Sequence, residues 1–121
     1  MPSGTRPQEP SIQNKMPTNK QLNGEPFNAT HTHATAAVAA KAAATGKTHY
    51  ITDAAASSDK AGSILLIYDG TTVIWQEQVG AGHCELHFVN PLPGSSGAAV
   101  SVAIDGTSAC KANIGGFTLK Q

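Results

Sequence analysis

Five histidines, eight carboxylates and two cysteines are the groups in this chain with the chemistry to act on a substrate or hold a metal. Catalysis would need a nucleophile beside a base, a metal set or a pair of cooperating carboxylates. His31-Thr32-His33 sets two imidazoles on one face of an extended chain. His83 and His87 lie four apart with Cys84 between them. On a helix that spacing converges, but in a strand it separates the rings by about 13 Å. No local set of four ligands emerges, so neither a metal nor another cofactor is expected. Asp69 and Asp105 each precede a glycine and read as turn residues, while Glu77 and Glu85 flank a turn and read as solvent-facing. Cys84 and Cys110 lack the spacing of a zinc knuckle or a redox pair and are expected to be free thiols, with a single bridge as the alternative if both sit on facing strands. Phosphate-binding glycine loops and the GxSxG nucleophile turn are absent from the sequence, and Asn28-Ala29-Thr30 matches a glycosylation sequon that is expected to be a coincidence, since no export signal is expected. No catalytic residue is assigned, and the expectation is a protein that is not an enzyme. His31 and His33 are kept as candidate interface histidines, whose protonation near pH 6 would alter contacts.

The elements that carry these groups fall into two regions. Residues 1–33 hold five of the seven prolines and only scattered large apolar residues, with neither helical nor strand periodicity. Such a segment buries too little apolar surface to offset its ordering entropy. It reads either as a disordered tail or linker or as an extended docking arm ordered on a partner; the arm is the reading adopted for residues 1–33, with Ile12, Met16, Leu22 and Phe27 as anchors for pockets on that partner. Residues 34–121 form the second region. Its opening, ATAAVAAKAAA, favours helix by propensity, but it is short for a helix and offers no apolar stripe. It also alternates in the manner of a small-residue strand, which is the reading adopted. Beyond it, β-branched and aromatic runs are punctuated by turn residues. Ser63–Tyr68 and Thr72–Gln76 flank Asp69-Gly70, a hairpin signal. Cys84, Leu86 and Phe88 alternate along one face, as do Val100, Val102 and Ile104, and Asn90–Gly97 is a loop by composition. Trp75 is expected in the core. Six to eight short strands without intervening helices predict an all-β fold, a small antiparallel β-sandwich of jelly-roll or Ig-like type.

The formal net charge is zero and 13% of residues are charged. A phosphate-binding surface needs a cationic excess, so nucleic acid is not an expected partner. No apolar run approaches the roughly 20 residues that span a bilayer, so no membrane is expected either.

Three segments carry a family resemblance: Gly46-Lys47-Thr48-His49-Tyr50-Ile51-Thr52, Tyr68-Asp69-Gly70-Thr71-Thr72-Val73-Ile74-Trp75 and Pro91-Leu92-Pro93-Gly94-Ser95-Ser96-Gly97-Ala98-Ala99-Val100. In their order they resemble small β-sandwich virion structural proteins of tailed bacteriophages, the decoration or cement proteins among them. The likeness spans about residues 35–121. The chain departs from the pattern at Tyr68, before the Asp-Gly, and at Ala98, where the group often has Asn. The resemblance implies a strand in residues 34–44 and a structural role in the virion. A capsid decoration protein would bind the major capsid protein or other virion proteins through its arm and a sandwich edge, as a homo-oligomer. The alternative is a tail, spike or head-fibre component that contacts host glycans through Tyr50, Tyr68 or Trp75.

Overall fold

The computed structural model describes residues 24–120, which form eight strands. These are β1 (Glu25–His33), β2 (Ala36–Lys41), β3 (Lys47–Ser58), β4 (Ile64–Asp69), β5 (Thr72–Gln78), β6 (Gly82–Pro93), β7 (Val100–Asp105) and β8 (Cys110–Lys120). One four-stranded sheet has the order β1-β8-β3-β6 and the other β2-β7-β4-β5, with every pairing antiparallel. This is the strand order of a two-sheet jelly roll, in which the chain passes from sheet to sheet at nearly every connection. The expected small antiparallel β-sandwich is the observed fold.

The core lies between the sheets, and its side chains explain why the alanine-rich segment is a strand. Ala54 and Ala56 on β3 and Ala112 on β8 face inward from the first sheet, and Leu65, Ile67, Val102 and Ile104 from the second. Each sheet mixes small and branched residues: Ala54, Ala56 and Ala112 share the first with Ile51 and Ile114, and Ala37 and Ala39 share the second with the branched residues of β4 and β7. In β2, Ala37 and Ala39 are buried while Ala36, Val38 and Ala40 point outward. Pairing with β7 satisfies one edge of the β2 backbone, and this tertiary context outweighs alanine's helix propensity.

Two expectations need correction. The boundary of the arm at residue 33 does not hold, because residues 25–33 belong to the sandwich as β1. They pair along their whole length with β8, from Glu25↔Thr118 to His33↔Cys110. The missing apolar periodicity misled because β1 is an edge strand. It buries little itself and takes its order from the β8 ladder and from Phe27 and Ala29, which pack against the core. The proposed anchors Ile12, Met16 and Leu22 lie outside the described residues.

The second correction concerns turns. Asp69 and Thr72 pair, so the central residues of the β4–β5 turn are Gly70 and Thr71. Gly70 has φ 63°, and a positive φ at the first central position alone is the pattern of a type II′ turn. Asp69 instead ties the turn to a neighbouring loop, where its carboxylate accepts hydrogen bonds from Ser95 N at 2.9 Å and Ser95 Oγ at 2.6 Å. Asp105-Gly106 links β7 and β8, which lie in different sheets. Gly106 is favoured there by crowding, since a Cβ would sit 3.0 Å from the Ala109 carbonyl oxygen and the Cys110 Cβ and its neighbours would have to give way.

The three segments that carry the family resemblance meet at one end of the sandwich. Gly94 N donates to His49 O, Gly97 N to Lys47 O and Gly70 N to Ala99 O, each at 2.8 Å. Beneath them His49 is fully buried. Its Nε2 lies 2.8 Å from the Ala42 carbonyl, which can only accept, so Nε2 carries the proton. Nδ1 is then the acceptor for the Thr118 hydroxyl, at 2.7 Å. The Phe27 ring meets the imidazole edge-on, with centroids 5.6 Å apart.

Candidate functional site

The sequence-derived candidates on β1 serve the fold. Alternation along β1 turns Phe27, Ala29, His31 and His33 towards the second sheet, because their β8 partners include the core residues Ile114, Ala112 and Cys110. Phe27 is therefore a packing residue and not a free anchor; besides His49 it carries Lys41 Nζ 5.7 Å from its ring centroid. His31 and His33 stack with centroids 5.9 Å apart. His31 Nδ1 accepts from Val38 N at 3.0 Å, and His33 Nδ1 accepts from Thr35 N and Ala36 N at 3.1 Å. The two rings thus satisfy backbone donors on the free edge of β2 and close one side of the sandwich. Among the described residues no three His, Cys, Asp or Glu side chains converge in a metal-binding group.

The outer faces of the two sheets differ in character, and strand alternation dictates how. On the β1-β8-β3-β6 sheet the outward positions form cross-strand rows. One row runs Asn28, Gly115, Asp53 and His87; the next Thr30, Asn113, Ala55 and Glu85; the third Thr32, Lys111, Ser57 and His83. Where the small residues Gly115 and Ala55 sit between longer neighbours, they leave an open groove of about 260 Å³ lined by Asn28, Asp53, Glu85, His87 and Asn113. The hollow continues past Ser57 towards Lys111 and His83. Asp53 is held in place within it. Its Oδ1 lies 2.5 Å from His87 Nδ1, and its Oδ2 accepts from the Thr52 hydroxyl at 2.9 Å. Both members of the Asp53–His87 pair are more than half exposed, so its contribution to stability is small. The side chains of Asn28, Asn113 and Glu85 have no hydrogen-bond partner among the described residues.

The outer face of the other sheet is nearly uncharged. Its rows run Ala40, Ser101, Tyr68 and Val73, then Val38, Ala103, Leu66 and Gln76, and end on Ala36 and Asp105. Val38 is 47% exposed and Ile64 40%. With Leu66, Ala36 and Ala103 they border a shallow apolar hollow of about 190 Å³. The charge at its rim is already paired: Lys60 Nζ lies 2.6 Å from Asp105 Oδ2, and this bond holds the Asp105 carboxyl below the usual carboxylate range.

A third exposed apolar group lies along the side formed by β5 and β6. Opposite Thr52 alone, β6 accommodates four residues, Phe88 to Pro91, and this bulge leaves Val89 95% exposed. Trp75 is 38% exposed and packs edge-on against Phe88, with centroids 5.2 Å apart. It is thus a rim residue rather than the core residue expected. Tyr50, Tyr68 and Trp75 do not form one platform: Tyr50 stacks on Phe117 at 5.0 Å on one outer face, Tyr68 lies on the other, and Trp75 lies at the rim.

Both cysteines are free thiols. Glu77 and Glu85 lie on β5 and β6, in different sheets. Burial pushes the Cys84 thiol up, and the Glu77 and Glu85 carboxylates add to the effect. This is the environment of an inert thiol rather than a nucleophile.

No family model matches the chain, and no curated protein matches it. Among solved structures it is similar to one described as TmCBM61 in complex with beta-1,4-galactotriose. The identity is 11% and the TM-score 0.35, over 79% of this chain and 69% of that one. A likeness at that level assigns no ligand, and the groove and the apolar face stand on their own residues.

The sequence reading missed the groove and His49. The groove is a cross-strand property, built from residues 28, 53, 55, 85, 87, 113 and 115, whose adjacency depends on register. The available signal was the glycine pair Gly115-Gly116 inside a strand, where glycine marks a bulge or a close approach.

Proposed function

We propose that this chain is a virion structural protein, a capsid decoration protein that attaches to the phage head without catalysing a reaction. The observation that carries this reading is the nearly uncharged, largely apolar outer face of the β2-β7-β4-β5 sheet, with Val38 and Ile64 exposed beside Leu66. An antiparallel sheet that faces water on one side normally alternates apolar inward with polar outward. A contiguous apolar face without that alternation marks a surface made to be covered. The three sequence segments resembling small tailed-phage virion proteins supply the identity of the cover: the major capsid protein or a neighbouring virion subunit, including further copies of the chain. Residues 1–23, with Ile12, Met16 and Leu22, would extend the same attachment.

Co-sedimentation of the purified chain with empty heads of the phage that encodes it tests this. The native chain is expected to sediment with the heads. A Val38→Glu, Ile64→Lys variant, whose core is untouched, is expected to remain in the supernatant with an unchanged circular-dichroism spectrum. Failure of the native chain to bind, or equal binding by the variant, overturns the reading. A chain lacking residues 1–23 tests the three anchors, with weaker attachment as the expected outcome.

A further inference from the structure

Gly115 and Gly116 are adjacent in β8, but only one of them is required by the fold. A Cβ on Gly116 would overlap the Tyr50 carbonyl oxygen and lie 3.0 Å from Phe27 Cζ. Neither strand can yield that space, so Gly116 must be glycine. At Gly115 the nearest atoms to an added Cβ are Asp53 Cβ and Oδ2, both at 3.7 Å, which is ordinary contact. Its φ is not positive either. Glycine weakens a strand interior through its entropy and its missing side chain, and it marks a bulge or a place where something approaches the backbone; Gly115 faces Asp53 beside the register shift at Thr52, and its missing side chain leaves the outer surface of the sheet open there. What lies over Gly115 is the groove on the outer face of the sheet.

We infer that this groove is a binding site for a short, neutral, linear saccharide. The floor is Gly115, Ala55 and Ser57 on the two central strands, low enough for one face of a sugar ring to lie against the sheet. From the Asp53 row to the Ser57 row the floor runs four residues along β3, about 13 Å. The walls carry amide, carboxylate and imidazole groups, a mixture of donors and acceptors that matches hydroxyls, which are both. Asn28, Asn113 and Glu85 bring side chains without hydrogen-bond partners among the described residues, and Asp53 is oriented in advance by Thr52 and His87. Such pre-organisation lowers the ordering cost of binding.

Other ligand classes fit less well. Asp53 and Glu85 oppose a phosphate backbone, and Lys111 is the one full cation on the rim. An extended peptide binds by adding a strand at a sheet edge, whereas β8 and β3 are interior strands whose backbone groups are already paired on both sides. Saccharide binding here does not depend on attachment to a phage head, because the groove and the apolar face lie on opposite sides of the sandwich.

The test is a glycan array of neutral and acidic di- to tetrasaccharides, followed by titration of the isotope-labelled full chain with the retained glycan under NMR observation. Retention of neutral glycans is expected, with shift changes clustered at Asn28, Asp53, Ala55, Glu85, His87 and Asn113. Gly115→Val fills the floor, and affinity is expected to fall at least tenfold while the melting temperature holds or rises. Asn113→Ala, which leaves the floor open, is expected to weaken binding with the fold intact. The inference is overturned if no glycan is retained, if the shifts map elsewhere, if Gly115→Val binds as the native chain does, or if a peptide and not a saccharide occupies the groove.

Discussion

Replacing His49 by leucine puts a number on the buried hub at the end of the sandwich. The imidazole is fully buried, donates to the Ala42 carbonyl through Nε2 and accepts the Thr118 hydroxyl on Nδ1. Leucine fills much of the volume but makes neither bond. The Thr118 side chain lies in a residue only 5% exposed, so its hydroxyl loses a partner that water cannot replace. A buried donor or acceptor left unsatisfied costs about 1–3 kcal/mol. The Ala42 carbonyl is nearer to solvent and contributes at the lower end. The sum is about 2–4 kcal/mol, a large share of the roughly 5–15 kcal/mol that holds a domain together. For a domain of this size about 1 kcal/mol moves Tm by roughly 4–8 °C, so His49→Leu is expected to melt about 8–32 °C lower. Urea denaturation at neutral pH followed by Trp75 fluorescence reads the free energy directly. Thr118→Val removes the same bond from the other side and is expected to cost about 1–2 kcal/mol, since it leaves Nδ1 without its donor. Because the two residues share one bond, the double variant should lose less than the sum of the singles. A His49→Leu loss below about 0.5 kcal/mol, or strict additivity in the cycle, would refute the hub.

Three further predictions rest on other parts of the structure. Gly116→Ala forces a Cβ onto the Tyr50 carbonyl, and because the obstruction is backbone the loss is expected to reach about 3 kcal/mol, the upper end of overpacking costs; denaturant midpoints for this variant and for Gly115→Ala should diverge, and equal midpoints would show that the β3–β8 ladder yields. Asp59 accepts hydrogen bonds from the Ser108 hydroxyl and from Thr107 N and Ser108 N, which hold its carboxyl far below the usual range. Its folded-state acidity is depressed relative to the unfolded chain, so its support is complete above about pH 4, the ordinary carboxylate value, and is lost as pH falls below it. Urea midpoints measured from pH 6 to pH 2 should fall less steeply for Asp59→Asn than for the native chain, and parallel curves would contradict the assignment. Cys84 should alkylate more slowly at pH 8 than a free thiol and faster after Glu85→Gln, while Cys110, buried with its Sγ 3.2 Å from the His33 carbonyl oxygen, should react only on unfolding; mass spectrometry of each site reads both rates.

Local patterns in the sequence were sufficient for much of the fold. The runs at residues 64–68 and 72–76 became β4 and β5 around a glycine turn, and the alternation at 100–104 became a strand with Val100, Val102 and Ile104 inward, because side-chain direction in a strand follows from sequence parity alone. The alanine-rich segment was legible as a strand because its alternation and its lack of an apolar stripe outweighed its propensity. β1 was not legible: an edge strand draws its order from its neighbour, and β8 lies some eighty residues further along the chain.

What the sequence determined by itself is the all-β class, the neutral charge and the parity of each strand, since these depend on residues within a few positions of one another. Only the tertiary structure decided which outward faces became apolar and which polar, that His49 is a buried hub, and that Gly115 opens a groove while Gly116 closes a gap. Those properties belong to cross-strand register and to the jelly-roll order of the sheets, which bring together residues far apart in sequence. A single strand carries no trace of which neighbour it will meet.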